Sequence, residues 1–294
     1  MSLQQKFRGT GIAIITPFKE DKTIDWDNFK KLVNFWIEGK VEYLVVLGTT
    51  GESATIHGEE KQQVFSFVNE VADGRITLVA GIGGNDTAEV LHGFKSFDLK
   101  GYDAILSVAP YYNKPNQEGI FQHYKTIDAA APLPIIMYNV PGRTGQNVTA
   151  ETQIRIANEC KNIFATKEAS GNFDQIMAIL KNKPKDFMVI SGDDGITLPM
   201  IACGAEGVIS VVANAYPKDF SEMVRLCLAG KFSEALPLHY KYTDIIASMF
   251  AEGSPSGVKA YLAEMRLCSN SVRQPVWPVS EKHLEKIRGL IKAV

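Results

Sequence analysis

The chain has 294 residues, of which 45% are hydrophobic and 22% are charged, a balance that excludes a disordered, fibrous or membrane-embedded protein. Its 31 basic and 33 acidic residues give a net charge of −2 with no basic block, so the electrostatic surface that nucleic-acid binding needs is missing. We therefore expect a globular protein that acts on a small molecule and binds no nucleic acid.

The amino-terminal residues 1–11 lack the apolar core of a signal peptide. No later run approaches the roughly 20 apolar residues that span a bilayer. These two features predict a cytoplasmic protein with no membrane partner.

The four cysteines are widely spaced without a Cys-x-x-Cys motif, which predicts buried free thiols rather than a metal site or disulfides at Cys160, Cys203, Cys227 and Cys268.

Eight short apolar runs rich in β-branched residues occur along the chain. Continuous apolar runs of this kind are typical of strands that are buried on both faces of a parallel sheet. The segments between them have the spacing of amphipathic helices, as in 29–37. The predicted strands are 12–16, 43–47, 77–82, 104–109, 134–139, 163–167, 187–191 and 208–212.

Strands and helices alternate eight times at spacings of about 20 to 34 residues, which favours a closed α/β barrel over an open doubly wound sheet. The eighth helix is predicted near 219–229, and three amphipathic segments follow it without an intervening strand. We therefore predict a (β/α)₈ TIM barrel over 1–230, which carries the active site, and a C-terminal helical extension over 231–294.

Functional residues of such barrels lie at the carboxyl ends of the strands, because the loops there converge on one mouth. Lys167 ends the sixth strand after the apolar run 163–166. Apolar surroundings disfavour the ammonium and favour a nucleophilic amine that can attack a ketone. Its position alone leaves open that Lys167 is a solvated lysine at a strand exit.

Three other strand ends carry polar side chains with a functional and a structural interpretation. The run 48–51, Gly-Thr-Thr-Gly, can hold a carboxylate with hydroxyls and backbone amides, or can be a glycine turn that bonds its own backbone. Tyr138 can move a proton with the help of Thr50, or can be a core tyrosine with a satisfied hydroxyl. Arg143 follows a Pro-Gly turn and can bind a carboxylate in bidentate fashion, or can be an exposed loop arginine.

Two pairs of neighbouring residues complete the strand ends. Tyr111 and Tyr112 are adjacent on a segment that is expected to be extended, so at most one of them points into the barrel mouth. Asp193 and Asp194 have no suitably spaced partner ligands, so helix capping is favoured over a metal site. We expect neither a metal nor a cofactor.

Three motifs appear in one order and spacing: Gly-Thr-Thr-Gly-Glu at 48–52, Tyr-Asn-Val-Pro-Gly-Arg-Thr-Gly at 138–145 and Lys-Glu-Ala-Ser-Gly at 167–171. Together they resemble the pyruvate-dependent class I lyases, the family that includes dihydrodipicolinate synthase and N-acetylneuraminate lyase. The resemblance covers nearly the whole chain. Arg143 and the run 191–194 are similar to the synthase members of the family.

The resemblance implies a lyase of diaminopimelate and lysine biosynthesis, which condenses pyruvate with L-aspartate 4-semialdehyde to give 4-hydroxy-tetrahydrodipicolinate. Lys167 would form a Schiff base with pyruvate, and Thr49 and Thr50 would help to hold its carboxylate. Arg143 would bind the carboxylate of the semialdehyde.

The resemblance also implies a proton relay of Tyr138, Thr50 and Tyr112, in which Tyr112 reaches into the site of the neighbouring subunit. The chain would then be a homo-oligomer built from dimers, and a homotetramer is expected. Gly192 and Ile209 would line the substrate pocket.

Members of the family often have a lysine inhibition site at the tight dimer interface. Gly58 and Lys61 stand where lysine-sensitive members commonly have histidines, and Lys61 adds positive charge near a cationic effector. We therefore expect little feedback inhibition. The residues that match the usual effector site are Ser53, Ala54, Asn85, Glu89 and Tyr111.

Two other functions are left open by these residues. One is a sibling lyase that acts on a sugar acid or another 2-oxo acid, since Lys167, Tyr138 and the Gly-Thr-Thr-Gly loop serve all members; Arg143 argues against it. The other is a non-catalytic barrel that senses a small acid. A sensor does not need a positioned nucleophile and a proton relay together, so Lys167, Tyr138 and Thr50 argue against it.

Overall fold

The computed structural model describes residues 2–294, and its centre is a closed barrel of eight parallel strands. Each strand pairs with the next one in the chain, and β1 pairs with β8 to close the barrel. The strands are β1 Gly9–Ala13, β2 Tyr43–Val46, β3 Thr77–Gly81, β4 Ala104–Val108, β5 Ile135–Asn139, β6 Ile163–Glu168, β7 Met188–Ser191 and β8 Gly207–Ser210.

Helices alternate with the strands and surround the barrel, and they begin with a short helix that precedes β1. Capping side chains start several of them; Thr149, for example, accepts a hydrogen bond from the backbone N–H of Thr152 at the start of α7. The helices of the barrel region are α1 Leu3–Phe7, α2 Trp26–Glu38, α3 Gly58–Ala72, α4 Thr87–Ser96, α5 Gln117–Ala130, α6 Pro141–Thr144, α7 Ala150–Glu159, α8 Phe173–Asn182, α9 Thr197–Ala202 and α10 Pro217–Leu228.

All eight predicted strands are present, which confirms the (β/α)₈ barrel, but β1 and β8 are displaced from the predicted ranges. The predicted range 208–212 runs past the end of β8 because the backbone N–H groups of Val211 and Val212 donate to the Asp194 carboxylate instead of the sheet. The predicted range 12–16 starts late because the β1–β8 pairing already begins at Gly9. The buried backbone at Ile15 donates to the Asn214 side chain rather than to a strand.

The apolar runs follow from burial of both faces of each strand. Along β5, Ile136 packs in the interior of the barrel, whereas Ile135 and Met137 pack against the surrounding helices. Along β6, Thr166 and Glu168 lie on the helix side, where both bond to Gln153 of α7. The alternation therefore directs the side chain between them, Lys167, to the interior.

The amino-terminal end of the barrel is closed by α1. Phe7, its last residue, is fully buried, and its ring centroid lies 5.3 Å from that of Tyr43 and 5.1 Å from that of Phe164. Tyr43 and Phe164 stand at the starts of β2 and β6. The opposite end of the barrel, where the strands end, is therefore the open mouth.

The C-terminal extension contains three helices, as predicted: α11 Phe232–Ala251, α12 Ser256–Glu264 and α13 Glu281–Lys292. The predicted domain boundary after residue 230 falls between α10 and α11, and the division into two domains stays a prediction. The extension is attached to α10 by Asp219, which accepts hydrogen bonds from Lys241 (3.0 Å) and Tyr242 (2.7 Å).

Every helix within residues 2–294 is too short or too polar to cross a lipid bilayer.

The cysteines are free thiols, as expected, but one of them is not buried. Cys160, Cys227 and Cys268 are buried, whereas Cys203 is exposed. Cys203 caps the carboxyl end of the short helix α9. The chain turns there at the surface, so the apolar stretch before Cys203 does not predict its burial.

Candidate active site

The carboxyl ends of the strands enclose a cavity of about 390 Å³ at the mouth of the barrel. Its wall includes apolar side chains from Val140, Val211 and Phe250, the last contributed by the C-terminal extension. The predicted site residues that line it are Thr49, Thr50, Tyr138, Arg143, Lys167 and Gly192.

Lys167 lies at the base of this cavity and is only 4% exposed, so the alternative of a solvated strand-end lysine is wrong. Its Nζ lies 4.2 Å from the ring centroid of Tyr138. Burial lowers the pKa of Lys167 to about 7; the nearby carboxylate of Asp194 raises this pKa and the guanidinium of Arg143 lowers it. At neutral pH, Lys167 is therefore the uncharged, nucleophilic amine in a large fraction of the molecules.

Tyr138 is buried on the inner side of β5, beside Lys167 across the β5–β6 pairing. Burial raises the pKa of Tyr138 to about 12, against a lowering influence of Arg143. The phenol therefore carries its proton at neutral pH. Because it also lines the cavity, it can give that proton to a bound molecule and take it back.

The Gly-Thr-Thr-Gly loop follows β2 and forms a single 3₁₀ turn, Thr49–Gly51. The hydroxyl of Thr16 donates to the carbonyl of Gly51 (2.8 Å) and fixes the turn to the β1 side of the mouth. A side chain at position 51 would crowd the carbonyl oxygen of Ile14, which explains the glycine. Thr49 and Thr50 thus line the cavity beside backbone groups that are suited to an anion.

Arg143 lies on the short helix α6 at the rim of the cavity, and its side chain is exposed. Pro141 starts the helix and Gly145, in a left-handed conformation, ends it, so the helix consists of a single turn. The guanidinium Nη2 donates weakly to the carbonyl of Ser254 in the C-terminal extension (3.4 Å). Arg143 is therefore held over the mouth, where it can bind an anionic group.

The two aspartates after β7 have different roles. Asp193 accepts a hydrogen bond from the backbone of Gly195 (2.9 Å), which confirms the predicted cap. Asp194 is buried, and burial raises its pKa. As an anion it raises the pKa of Lys167, a function that the sequence interpretation missed. Within residues 2–294, the side chains of His, Cys, Asp and Glu form no group that is arranged to bind a metal.

A buried hydrogen-bond network behind Lys167 fixes its strand. Glu168 is fully buried, and its carboxylate accepts hydrogen bonds from Gln153 (2.6 Å), Asn139 (3.0 Å) and the backbone of Ser170 (2.7 Å). Gln153 in turn accepts one from the hydroxyl of Thr166 (2.8 Å). Both chain neighbours of Lys167 are thus anchored, which limits the positions of its amine. In the sequence, the only sign of this network is the carboxylate of Glu168 close to the apolar run 163–166.

Three predicted residues stand apart from the cavity. Tyr112 is 86% exposed and Tyr111 is 40% exposed. The expectation of an extended segment is wrong at Tyr112, where a φ of 72° turns the chain. Ile209 is buried among the side chains inside the barrel, below the residues that line the cavity.

A second cavity of about 600 Å³ adjoins the first and shares Tyr138 with it. Of the residues that match an effector site, Ser53 and Glu89 line this cavity, whereas Ala54, Asn85 and Tyr111 are not part of its wall. Gly58 and Lys61 line it as well, and burial lowers the pKa of Lys61.

Comparisons with known proteins agree in family and fold. Residues 6–294 match the Dihydrodipicolinate synthetase family. The 4-hydroxy-tetrahydrodipicolinate synthase of Parabacteroides distasonis is 51% identical over 285 residues, which cover 97% of this chain and 96% of that protein. The crystal structure of dihydrodipicolinate synthase from Thermotoga maritima is 41% identical, with a TM-score of 0.95 over 98% of each chain. The chloride-inhibited dihydrodipicolinate synthase from Acinetobacter baumannii, solved with pyruvate, is 40% identical, with a TM-score of 0.94 over 97% of this chain and 98% of that one.

The lowered pKa of Lys167 gives a pH-dependent reactivity that can be measured. In competitive labelling with trace acetic anhydride, we expect labelling of Lys167 to rise through an apparent pKa of about 7 as the amine loses its proton. Ordinary surface lysines, which titrate near about 10.4, serve as the internal control in the same digest. Peptide mass spectrometry gives both profiles, and a profile for Lys167 that follows the surface lysines would contradict the assignment.

Proposed function

The chain belongs to the dihydrodipicolinate synthetase family, and we propose that it is a 4-hydroxy-tetrahydrodipicolinate synthase in which Lys167 forms a Schiff base with pyruvate. The second substrate is L-aspartate 4-semialdehyde. The product, 4-hydroxy-tetrahydrodipicolinate, belongs to the biosynthesis of diaminopimelate and lysine.

The observation that carries this proposal is the buried amine of Lys167 at the base of an anion-binding mouth. The amine lies beside a protonated phenol, with its pKa lowered to about 7. The threonine loop and Arg143 line the same cavity. A nucleophile, a proton donor and sites for two carboxylates are the groups that a condensation of two small oxo acids requires.

In the first half-reaction, the amine of Lys167 adds to C2 of pyruvate. Tyr138 protonates the resulting hydroxyl, which leaves as water, and an iminium forms. The Tyr138 phenolate takes a proton from C3 and regains its phenol form, while the positive nitrogen accepts the electron pair of the C–H bond, so the iminium becomes an enamine. Thr49 and Thr50 hold the pyruvate carboxylate during these steps and orient C3 toward the mouth.

In the second half-reaction, C3 of the enamine attacks the aldehyde carbon of the semialdehyde, whose carboxylate is bound by Arg143. The relay protonates the new alkoxide, which becomes the hydroxyl of the product. The amine of the same substrate then attacks C2 of the imine. One of its protons goes to the nitrogen of Lys167, which leaves as the free amine, and the other returns to the Tyr138 phenolate. The ring closes as the enzyme is released, so one water is lost per turnover.

The proton relay consists of Tyr138, Thr50 and Tyr112 and requires a homo-oligomer built from dimers, which we propose to be a tetramer. Tyr112 supports this assembly because an aromatic side chain that is 86% exposed lies on a turned backbone, away from the cavity of its own chain. In a dimer it reaches the cavity of the partner.

We also propose a cytoplasmic location, for which the four free thiols are typical.

The effector site at the dimer interface is proposed to bind lysine weakly. Lys61 lines the second cavity together with Ser53 and Glu89, which match the effector residues. A second cation close to a bound lysine raises the free energy of the complex in a partly desolvated cavity. Ser53 and Glu89 support an effector site in this cavity, and Lys61 is the lining residue whose charge disfavours a cationic effector.

Trapping with borohydride tests the central step. With pyruvate and sodium borohydride, we expect peptide mass spectrometry to find a reduced pyruvyl group on Lys167. Lys259 is also buried but is paired with a carboxylate, so it should stay unmodified in the same digest. The Lys167→Arg variant should lose about 10⁴-fold or more in kcat. No adduct, or an adduct on a different lysine, would remove the basis of the proposal.

Replacement of Arg143 tests the second substrate. Arg143→Lys keeps the charge but loses the planar pair of donors, so KM for aspartate semialdehyde should rise about tenfold to 100-fold. The KM for pyruvate should change less than about twofold. Arg155→Lys, on the outer helix α7 with its ion pair to Glu118, is the matched control. An unchanged KM in Arg143→Lys, with cleavage of N-acetylneuraminate or 2-keto-3-deoxygluconate by the wild type, would favour the sibling lyase instead.

Inhibition by lysine tests the effector site. At about 1 mM L-lysine, the wild type should keep more than about half of its initial rate. A half-inhibiting concentration above about 1 mM corresponds to weak binding. The Lys61→His variant removes most of the positive charge at neutral pH and should be inhibited more strongly. Strong inhibition of the wild type by millimolar lysine would overturn this proposal and leave the catalytic one untouched.

A further inference from the structure

Glu52 immediately follows the threonine loop and joins two short turns. Its backbone N–H donates to the carbonyl of Thr49 (3.1 Å) and closes the 3₁₀ turn that lines the cavity. Its carbonyl accepts from the N–H of Thr55 (3.0 Å) and closes the next turn. Glu52 itself is in the left-handed region, with a φ of 55°, which a non-glycine residue adopts only when its surroundings hold it there.

The side chain of Glu52 is held by the C-terminal extension. One carboxylate oxygen lies 2.5 Å from Nζ of Lys259 on α12, and the other accepts a hydrogen bond from the backbone of Arg273 (2.9 Å). Both members of the ion pair are buried. Lys259 also donates to the carbonyl of Ser271 (2.9 Å), and its Nζ lies 4.2 Å from the ring centroid of Phe18.

Arg273 adds a second connection between the extension and the same region. Its guanidinium donates to the carbonyl of Thr55 (2.9 Å) and makes a bidentate pair with Glu60 on α3, at 2.6 Å for both bonds. The segment 52–60 is therefore bonded to the extension at three positions. The threonine loop at its start is bonded to the barrel through Thr16 on the other side.

A buried ion pair has a fixed geometry because each ion must keep its partner to offset the loss of hydration. Lys259 and the backbone N–H of Arg273 therefore determine the position of the Glu52 carboxylate. The strained backbone at Glu52 transmits that position to the turn that carries Thr49 and Thr50. We propose that Glu52 and Lys259 are positioning residues through which the C-terminal extension sets the binding site for the pyruvate carboxylate. This inference rests on the proposed function, because it concerns the affinity for pyruvate.

The test compares Glu52→Gln, Lys259→Met and the double variant with the wild type. The quantity is the pyruvate concentration that half-saturates borohydride trapping on Lys167, measured without the second substrate. We expect it to rise about tenfold in each variant. The kcat at saturating pyruvate should stay within about threefold of the wild type, and KM for aspartate semialdehyde within about twofold.

The double variant separates positioning from stability, because it leaves no unpaired buried charge. Its thermal midpoint should recover relative to the single variants, while its half-saturating pyruvate concentration should stay raised. It also carries the test if a single variant fails to fold. Tyr242→Phe is the structural control, since it removes a bond between the extension and α10 that involves no residue of the segment 49–60. This control should keep the affinity for pyruvate of the wild type.

Three results would overturn one proposal or the other. A wild type that forms no pyruvyl adduct would overturn the proposed function. A wild type that forms the adduct, with the same half-saturating pyruvate concentration as the folded double variant, would overturn the positioning role of Glu52 and Lys259 alone. A Tyr242→Phe variant with equally raised values would also overturn it, because the effect would then reflect general loosening of the extension.

Discussion

The burial of an amine inside an apolar barrel is the constraint on which the rest of the site depends. Moving an ammonium out of water is costly, and Lys167 meets this cost by losing its proton near neutral pH. Opposing influences of the surroundings set the pKa of Lys167. Asp194 favours the charged form, whereas Arg143 and the low polarity disfavour it. The result is an amine that is neither permanently protonated nor free to move, because Glu168 and Thr166 anchor its strand from behind.

The groups around this amine come from different parts of the chain, and each is held in place by its own turn, helix or strand. The 3₁₀ turn after β2 carries the threonines, the single-turn helix α6 carries Arg143, and β5 carries Tyr138. The C-terminal extension contributes twice, through Phe250 in the cavity wall and through Lys259 and Arg273 on the segment after the threonine loop. The extension is thus a part of the site as well as a cover for the barrel.

Much of the fold and several site residues were predictable because they depend on local patterns. Strands buried on both faces produce continuous apolar runs, so the sequence predicts all eight strands, and the strand ends predict Lys167, Tyr138 and Arg143, which line the cavity. The residues that were missed depend on contacts between distant positions. The end of β8 depends on the Asp194 carboxylate, which bonds to Val211 and Val212. The pair of Glu52 and Lys259 joins positions 207 residues apart, and no local pattern reports such a partner.

The closure of the barrel base by Phe7 has a kinetic consequence. The cavity is closed toward the base of the barrel, so a molecule reaches the amine of Lys167 from the side of the mouth, where Arg143 lies at the rim. On the proposed roles, a molecule bound at Arg143 obstructs the route to the amine. Pyruvate must therefore enter first and the water of Schiff-base formation must leave before the semialdehyde enters. On these roles, the deep nucleophile and the second substrate bound at the rim together give an order of addition in which one product is released before the second substrate binds.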